Sequence, residues 1–239
     1  MRITISLFLF FICSIGITTA QSKQLKMVLE QLQIKESACK TELVKESIIP
    51  FDKSKSLIFI PKISYQDESS FSCDVYLIVF ETKTGKILHR FHEPKGLWSD
   101  AIHCDEVLFD FAPYQLDNQT RAFGLRLKFS NDSRPNPYMA EKLSLFVTQN
   151  EKLVYVLKDY LVAEFTGETD GDCEGKFVDE KKILIFDNSQ TTNYCDIIVK
   201  SKITTIELYE VKGDCKEKKS IGNSTLTRLK FQNGSYQFK

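Results

Sequence analysis

The segment 73–82, CDVYLIVFET, carries apolar side chains at both parities. A strand sends alternate side chains to opposite faces, so a run of this kind must be covered on both of them. That excludes a free, solvated hairpin and asks for layers on either side. Much of the remaining chain also reads as strand. Over 121–129, Phe123, Leu125, Leu127 and Phe129 alternate with Gly124, Arg126 and Lys128, the period of a half-buried strand. Further strands are expected over 57–65 (with a break at Pro61), 86–93, 107–116, 143–148, 153–165, 182–186 and 194–211. A closing pair, 226–231 and 236–238, flanks Asn233-Gly234, the dipeptide most diagnostic of a tight hairpin.

The count is about twelve strands with turns between them, the signature of an all-β fold. The expected architecture is an antiparallel meander arranged as an irregular propeller, a sandwich or a barrel, with one N-terminal helix. That helix is placed over 24–36 by Leu25, Val28, Leu29 and Leu32 at helical spacing, and is expected at one end of the domain. Residues 94–106 read as a long loop holding the only Trp, Trp98.

The first twenty residues, MRITISLFLFFICSIGITTA, have an early Arg2, a short apolar run and small residues before Gln21. This is the pattern of a secretory signal peptide, which leaves 21–239 as a single disulfide-bonded β-rich domain, secreted or periplasmic. No later segment is apolar over the length a membrane span needs. Removing residues 1–20 takes one Arg from 32 basic residues and none from 32 acidic ones, a net charge of −1. Such a chain has no electrostatic footprint for nucleic acid or anionic lipid.

Six cysteines follow the signal: Cys39, Cys73, Cys104, Cys173, Cys195 and Cys215. In an exported chain an even number reads as disulfides. Counting strands along an uninterrupted meander places Cys73, Cys104, Cys173 and Cys215 at one end and Cys39 and Cys195 at the other. The expected pairs are Cys73–Cys104, Cys173–Cys215 and Cys39–Cys195.

Three places could carry chemistry. His89, His92 and His103 cluster in sequence near Asp100, the basis for an alternative reading as a secreted hydrolase or metal-dependent enzyme. Against it, His89 and His92 point to opposite faces of a strand, and neither HExxH nor G-x-S-x-G is present. Asp170, Asp172 and Glu174 in DGDCEG alternate as calcium ligands do, although Lys181 stands where an EF-hand ends in Glu; Ca2+ is the one cofactor suggested. The third place is the loop 133–139, where Arg134, Asn136 and Tyr138 sit on and between Pro135 and Pro137. Stiff loops lose less entropy on docking, and Arg and Tyr are favoured anchors at interfaces. Trp98 offers a second docking loop, or a surface for carbohydrate in a structural module.

The runs TRAFGLRLKFSNDSRPNPY, NYCDIIVK and LTRLKFQNGSYQF resemble an exported bacterial family without an assigned activity. The DIIVK strand followed by a terminal K-F-x-N-G-x-Y hairpin is also similar to irregular β-propeller proteins of bacterial envelopes, some of which inhibit lysozyme. The resemblance spans about half the chain and implies a non-catalytic, protein-binding role. Where such propellers often carry calcium-loop aspartates, this chain has Thr191, Thr192 and Asn193. The reading is an exported binding protein whose partner, an envelope or extracellular protein such as a cell-wall hydrolase, is met through Arg134, Asn136, Tyr138 and Trp98.

Overall fold

A computed structural model describes residues 23–190 and 193–238. The segment expected to be a signal peptide and the Thr191–Thr192 pair lie outside the described residues. The described residues form one α-helix, α1 (Lys23–Leu32), and thirteen strands: β1 (Lys45–Ile48), β2 (Lys55–Gln66), β3 (Phe71–Glu81), β4 (Ile87–Ser99), β5 (His103–Gln115), β6 (Arg121–Ser130), β7 (Tyr138–Gln149), β8 (Lys152–Thr169), β9 (Gly175–Gln190), β10 (Cys195–Val211), β11 (Asp214–Ile221), β12 (Thr225–Gln232) and β13 (Ser235–Gln237). All belong to one open, almost entirely antiparallel sheet. No described helix is long and apolar enough to cross a membrane.

The meander breaks twice, once after β4 and once after β11, since β12 pairs with β10 and not with β11. β1 to β4 pair in order and β5 to β10 pair in order, but β4 joins β8 by a parallel bridge, Arg90↔Lys152, rather than pairing with β5. The sheet therefore folds back on itself. Leu57 and Phe59 of β2 and Val75, Leu77 and Val79 of β3 meet Val107 of β5, Phe123, Leu125 and Leu127 of β6 and Phe146 of β7 in a first core. A second core lies on the other side of β7 and β8. There Leu143, Leu145, Val156 and Leu157 pack on Ile197, Val199, Leu229 and Tyr236. The third covers the outer side of β2 and β3, where Ile58, Ile60, Ile78 and Phe80 receive Leu25, Val28 and Leu29 of α1. The double-sided apolarity of 73–82 has its explanation here: one face of β3 meets the folded-back part of the same sheet and the opposite face meets the helix.

The helix thus lies across the face of β2 and β3, near one end of the strand order. It stops earlier than its sequence suggests because Gln33 takes a left-handed φ of 56°. The Ile34 N–H then reaches back to the Leu29 carbonyl at 3.0 Å, a Schellman-type end that tucks Ile34 into the core. Gln31 fixes the helix to the β3–β4 turn by donating to the Gly85 carbonyl at 2.8 Å.

Three further differences matter for the site. The long loop expected over 94–106 shrinks to residues 100–102, because β4 runs on to Ser99 and β5 starts at His103. Trp98 therefore stands at a strand end. Two strands escaped the sequence reading, β1 and the all-exposed β11 (DCKEKKSI). Of the three expected disulfides, Cys173–Cys215 is formed, with its Cα atoms 5.3 Å apart. Cys39, Cys73, Cys104 and Cys195 are buried thiols, so Cys39–Cys195 and Cys73–Cys104 are not bonded. The strand count behind the Cys39–Cys195 pair assumed one uninterrupted meander. In the folded sheet Cys39 lies in the helix-covered core, while Cys195 sits against Gln115, its thiol 3.4 Å from that carbonyl. Cys73 and Cys104 do face the same core, and burial pushes both thiols up to about 12.

Candidate functional site

Three chain reversals meet at one end of the sheet. The proline loop, residues 131–137, is shaped by its own polar groups. Asn131 Oδ1 accepts the Tyr138 N–H at 2.9 Å, its Nδ2 donates to the Asn136 carbonyl at 3.1 Å, and Ser133 Oγ accepts the Asn136 N–H at 3.1 Å. The Pro135 carbonyl accepts the Thr169 N–H at 2.8 Å, which ties the loop to the end of β8. There the acidic turn begins, and Cys173 within it is bonded to Cys215 beside the β10–β11 turn. The proline loop is thus held at both ends and in its middle, with Arg134 exposed at its tip.

Trp98 and Tyr138 line the same cavity, of about 290 Å³, together with Asp100, Ile102, Lys142 and Asp159. Trp98 is 53% exposed and its ring lies parallel to that of Tyr65 at 6.3 Å. Its indole N–H donates to Asp100 Oδ2 at 2.9 Å, and Asp100 Oδ1 accepts the Ile102 N–H at 3.0 Å. The Ile102 bond, then the indole bond, hold the Asp100 carboxyl below the usual carboxylate range. Across the cavity, burial raises the Tyr138 phenol, and the Glu164 carboxylate adds to this, so Tyr138 acts as a neutral hydroxyl. Lys142 Nζ stands 5.0 Å over the Phe129 ring. Asp159 reaches the wall through a β-bulge: the register slips between Leu143 and Leu145, and Asp159 takes a φ of 48° while its N–H donates to Ser144 Oγ at 2.9 Å. The site is a shallow pocket with aromatic edges, a cation and two carboxylates.

The other expected groups disperse. His89 faces the first core through its partner Val79, with Nδ1 buried and unbonded, and burial lowers its pKa. His92 stacks on Tyr76 at 4.3 Å on the opposite face. His103 Nε2 leans toward Asp132 at 3.5 Å, while both Asp100 oxygens are taken by Trp98 and Ile102. No His–Asp pair with a nucleophile is assembled from His103 and Asp100. Around the expected calcium ligands, among the described residues no three His, Cys, Asp or Glu side chains group as a metal site would. Asp170 Oδ1 accepts the Asp172 and Glu174 N–H groups at 2.9 and 3.0 Å, which closes the turn.

Sequence reasoning named Trp98, Asp100 and Tyr138 but missed Tyr65, Lys142 and Asp159. The register of the β6–β7 hairpin would place Lys142 opposite Leu127. Asp159 depends on the bulge, which leaves no signal in the sequence. Larger openings exist among the described residues, one of about 430 Å³ beside the Asn233-Gly234 turn. A cleft of about 910 Å³ between β8 and the β10–β12 pair includes Lys182 and Glu180, which are already matched at 3.3 Å. A groove of about 420 Å³ crosses a face of β5 to β9, where Lys128 meets Glu106 at 2.7 Å and Lys181 meets Asp179 at 3.1 Å.

The geometry defines a layered all-β protein with one helix and a loop-built end. Searched against family models, curated proteins and solved structures, the chain matches none of them.

Proposed function

We propose that this is an exported, non-catalytic binding protein that docks through the end formed by the proline loop and Trp98. One observation carries the reading: Trp98 and Tyr138, from separate chain reversals, share one cavity beside a loop fixed through Pro135 and Thr169. A surface that is rigid before binding loses little entropy on docking, and Trp, Tyr and Arg are the side chains that dominate interface energetics. The partner is an envelope or extracellular protein, with a cell-wall hydrolase as the leading class. Arg134 is the group offered to an acidic site in it. The test is capture of partners from the producing cell's envelope fraction by native protein and by a Trp98→Ala/Tyr138→Ala form. We expect the native protein to recover a partner that the double variant loses; equal recovery by both removes the proposal.

A second reading rests on the parallel Tyr65–Trp98 rings, a flat and exposed aromatic surface of the kind sugars stack against. Co-sedimentation with purified peptidoglycan, lost on Trp98→Ala and kept on Arg134→Ala, would select it over the protein partner.

A further inference from the structure

The outer face of β9, β10 and β12 is left open by the packing. Alternation sends Leu184, Phe186, Ile197, Val199 and Leu229 into the second core. Register then fixes what stands on the other side. One cross-strand row is Ile183–Lys200–Leu226 and the next is Ile185–Ile198–Arg228. Ile183 is 63% exposed, Leu226 67% and Ile185 46%. Aliphatic side chains held side by side in water form a patch, unlike single exposed residues scattered over a surface, and contiguous patches mark interaction sites.

The charges on this face say what it accepts. Its carboxylates are engaged: Asp179 with Lys181 at 3.1 Å, and Asp187 and Asp196 with Arg228 at 2.8 and 3.1 Å. Lys200 stands between Ile183 and Leu226, and Lys202 opposite Lys181. Both are exposed, and neither enters an ion pair among the described residues. The uncommitted charge within the apolar patch is therefore positive.

We propose that this face docks an acidic amphipathic segment of a partner protein. The segment's apolar stripe lies on Ile183, Ile185, Ile198 and Leu226, and its carboxylates meet Lys200 and Lys202. A second copy of the chain fits less well, because a two-fold pairing of the face sets its lysines against each other. An anionic bilayer is also disfavoured. Lipid surfaces are held by clusters of about four to eight basic residues, and this chain balances 32 basic against 32 acidic residues overall. The face consists of strand residues remote in sequence from Trp98 and Tyr138, so the inference stands or falls separately from the loop-end reading.

The experiment uses two labelled synthetic helical peptides of about five turns, one with a Leu stripe and Glu elsewhere, the other with Lys in place of Glu. Each is titrated with the purified protein and followed by fluorescence anisotropy. The Glu peptide should bind at least about tenfold tighter than the Lys peptide, a preference of the size charge complementarity supplies. Lys200→Glu/Lys202→Glu should reverse that preference. Ile183→Ser/Leu226→Ser should abolish binding of the Glu peptide while the thermal midpoint stays that of the parent, and Trp98→Ala/Tyr138→Ala should leave peptide binding intact. Several results would overturn the proposal: no binding of the Glu peptide, equal binding of both peptides, binding only to phosphatidylserine vesicles, or self-association in sedimentation velocity that the Ile183→Ser/Leu226→Ser change removes.

Discussion

Strands β3 and β11 share the same antiparallel hydrogen-bonding pattern and have opposite surroundings. Cys73, Val75, Leu77 and Val79 of β3 enter the first core and Ile78 and Phe80 enter the helix-covered one, whereas all eight residues of β11 are exposed. The contrast extends to whole regions. The body, from α1 through β8, has apolar packing on both faces of its central strands. The arm, made of the ends of β8, β9 and β10 together with β11, has no buried residue in β10 beyond Ser201. A backbone ladder alone contributes little net stability, since unfolded N–H and C=O groups bond to water instead. The arm is therefore secured by other means: the Cys173–Cys215 bond, the Phe165–Phe177 stack at 5.6 Å, and a ring laid over a glycine. A Cβ at Gly167 would come within 2.3 Å of Phe177 Cδ1, so only glycine leaves the ring its seat. The lysines of β11 also keep this edge from pairing with another chain.

The largest expected effect falls in the body. Phe146 is fully buried, with ring centroids of Phe91, Phe123 and Tyr155 at 5.2, 5.8 and 4.5 Å. Phe146→Ala should cost about 3–5 kcal/mol, visible as a lower midpoint in urea melts. Phe177→Ala should leave that midpoint nearly in place and instead speed amide exchange over 165–180, the behaviour of a locally opening unit. Equal losses of midpoint for the two would show that arm and body unfold as one.

The same contrast explains what could be read before the fold was known. Strands with one or two buried faces announce themselves by alternation or by runs, which is why 73–82 and 121–129 were placed almost to the residue. The Asn233-Gly234 hairpin was legible for a different reason: both residues hold positive φ, 53° and 89°, the requirement that selects this dipeptide. β11 was not legible, because DCKEKKSI buries nothing and so carries no period. Its turn, Lys212-Gly213, has the same pair of positive angles but lacked an apolar neighbour on the β11 side to call attention to it. The three-loop end was only partly legible. Composition pointed to Trp98 and to the proline loop. That they share a cavity follows from the fold-back at β4 and β8, a single bridge that strand periodicity does not encode. The missing Cys39–Cys195 bond has the same origin.

The second effect concerns the arm itself. Removing the disulfide by Cys173→Ser/Cys215→Ser frees a loop of 42 residues' separation, worth at most about 4 kcal/mol in the chain-entropy model. If the arm opens on its own, most of this appears as faster exchange in β9 to β11, with the body midpoint falling by a smaller amount. Hydrogen exchange and a urea melt on the same sample separate the two. A midpoint loss near the full value would place the arm within the cooperative unit and dissolve the distinction between the regions.

The smallest effect asks whether charge separates body from arm. On the outer face of the body, Asp110 accepts hydrogen bonds from Tyr114 and from Arg126, whose guanidinium lies 2.6 Å away and also holds Glu141. Burial pushes the Asp110 carboxyl up, but the bonds from Tyr114, the Ala112 N–H and Arg126 outweigh it and leave the pKa below its ordinary value. A carboxylate depressed in the folded state contributes stability that is present above its unfolded value of about 4 and is lost as pH falls through the folded value. Asp110→Asn should therefore cost about 1.5–3 kcal/mol at neutral pH, the range for a hydrogen bond to a charged group, and should flatten part of the acid limb below about pH 4. The arm's pairs, such as Lys218–Glu207 at 3.7 Å, are exposed and screened, so Glu207→Gln should leave both the melt and its acid limb unchanged. Urea melts at neutral and acidic pH test the pair of variants. An acid limb that survives Asp110→Asn intact would show that the body's pH dependence lies elsewhere, and one that shrinks with Glu207→Gln would give the arm an electrostatic role its exposure argues against.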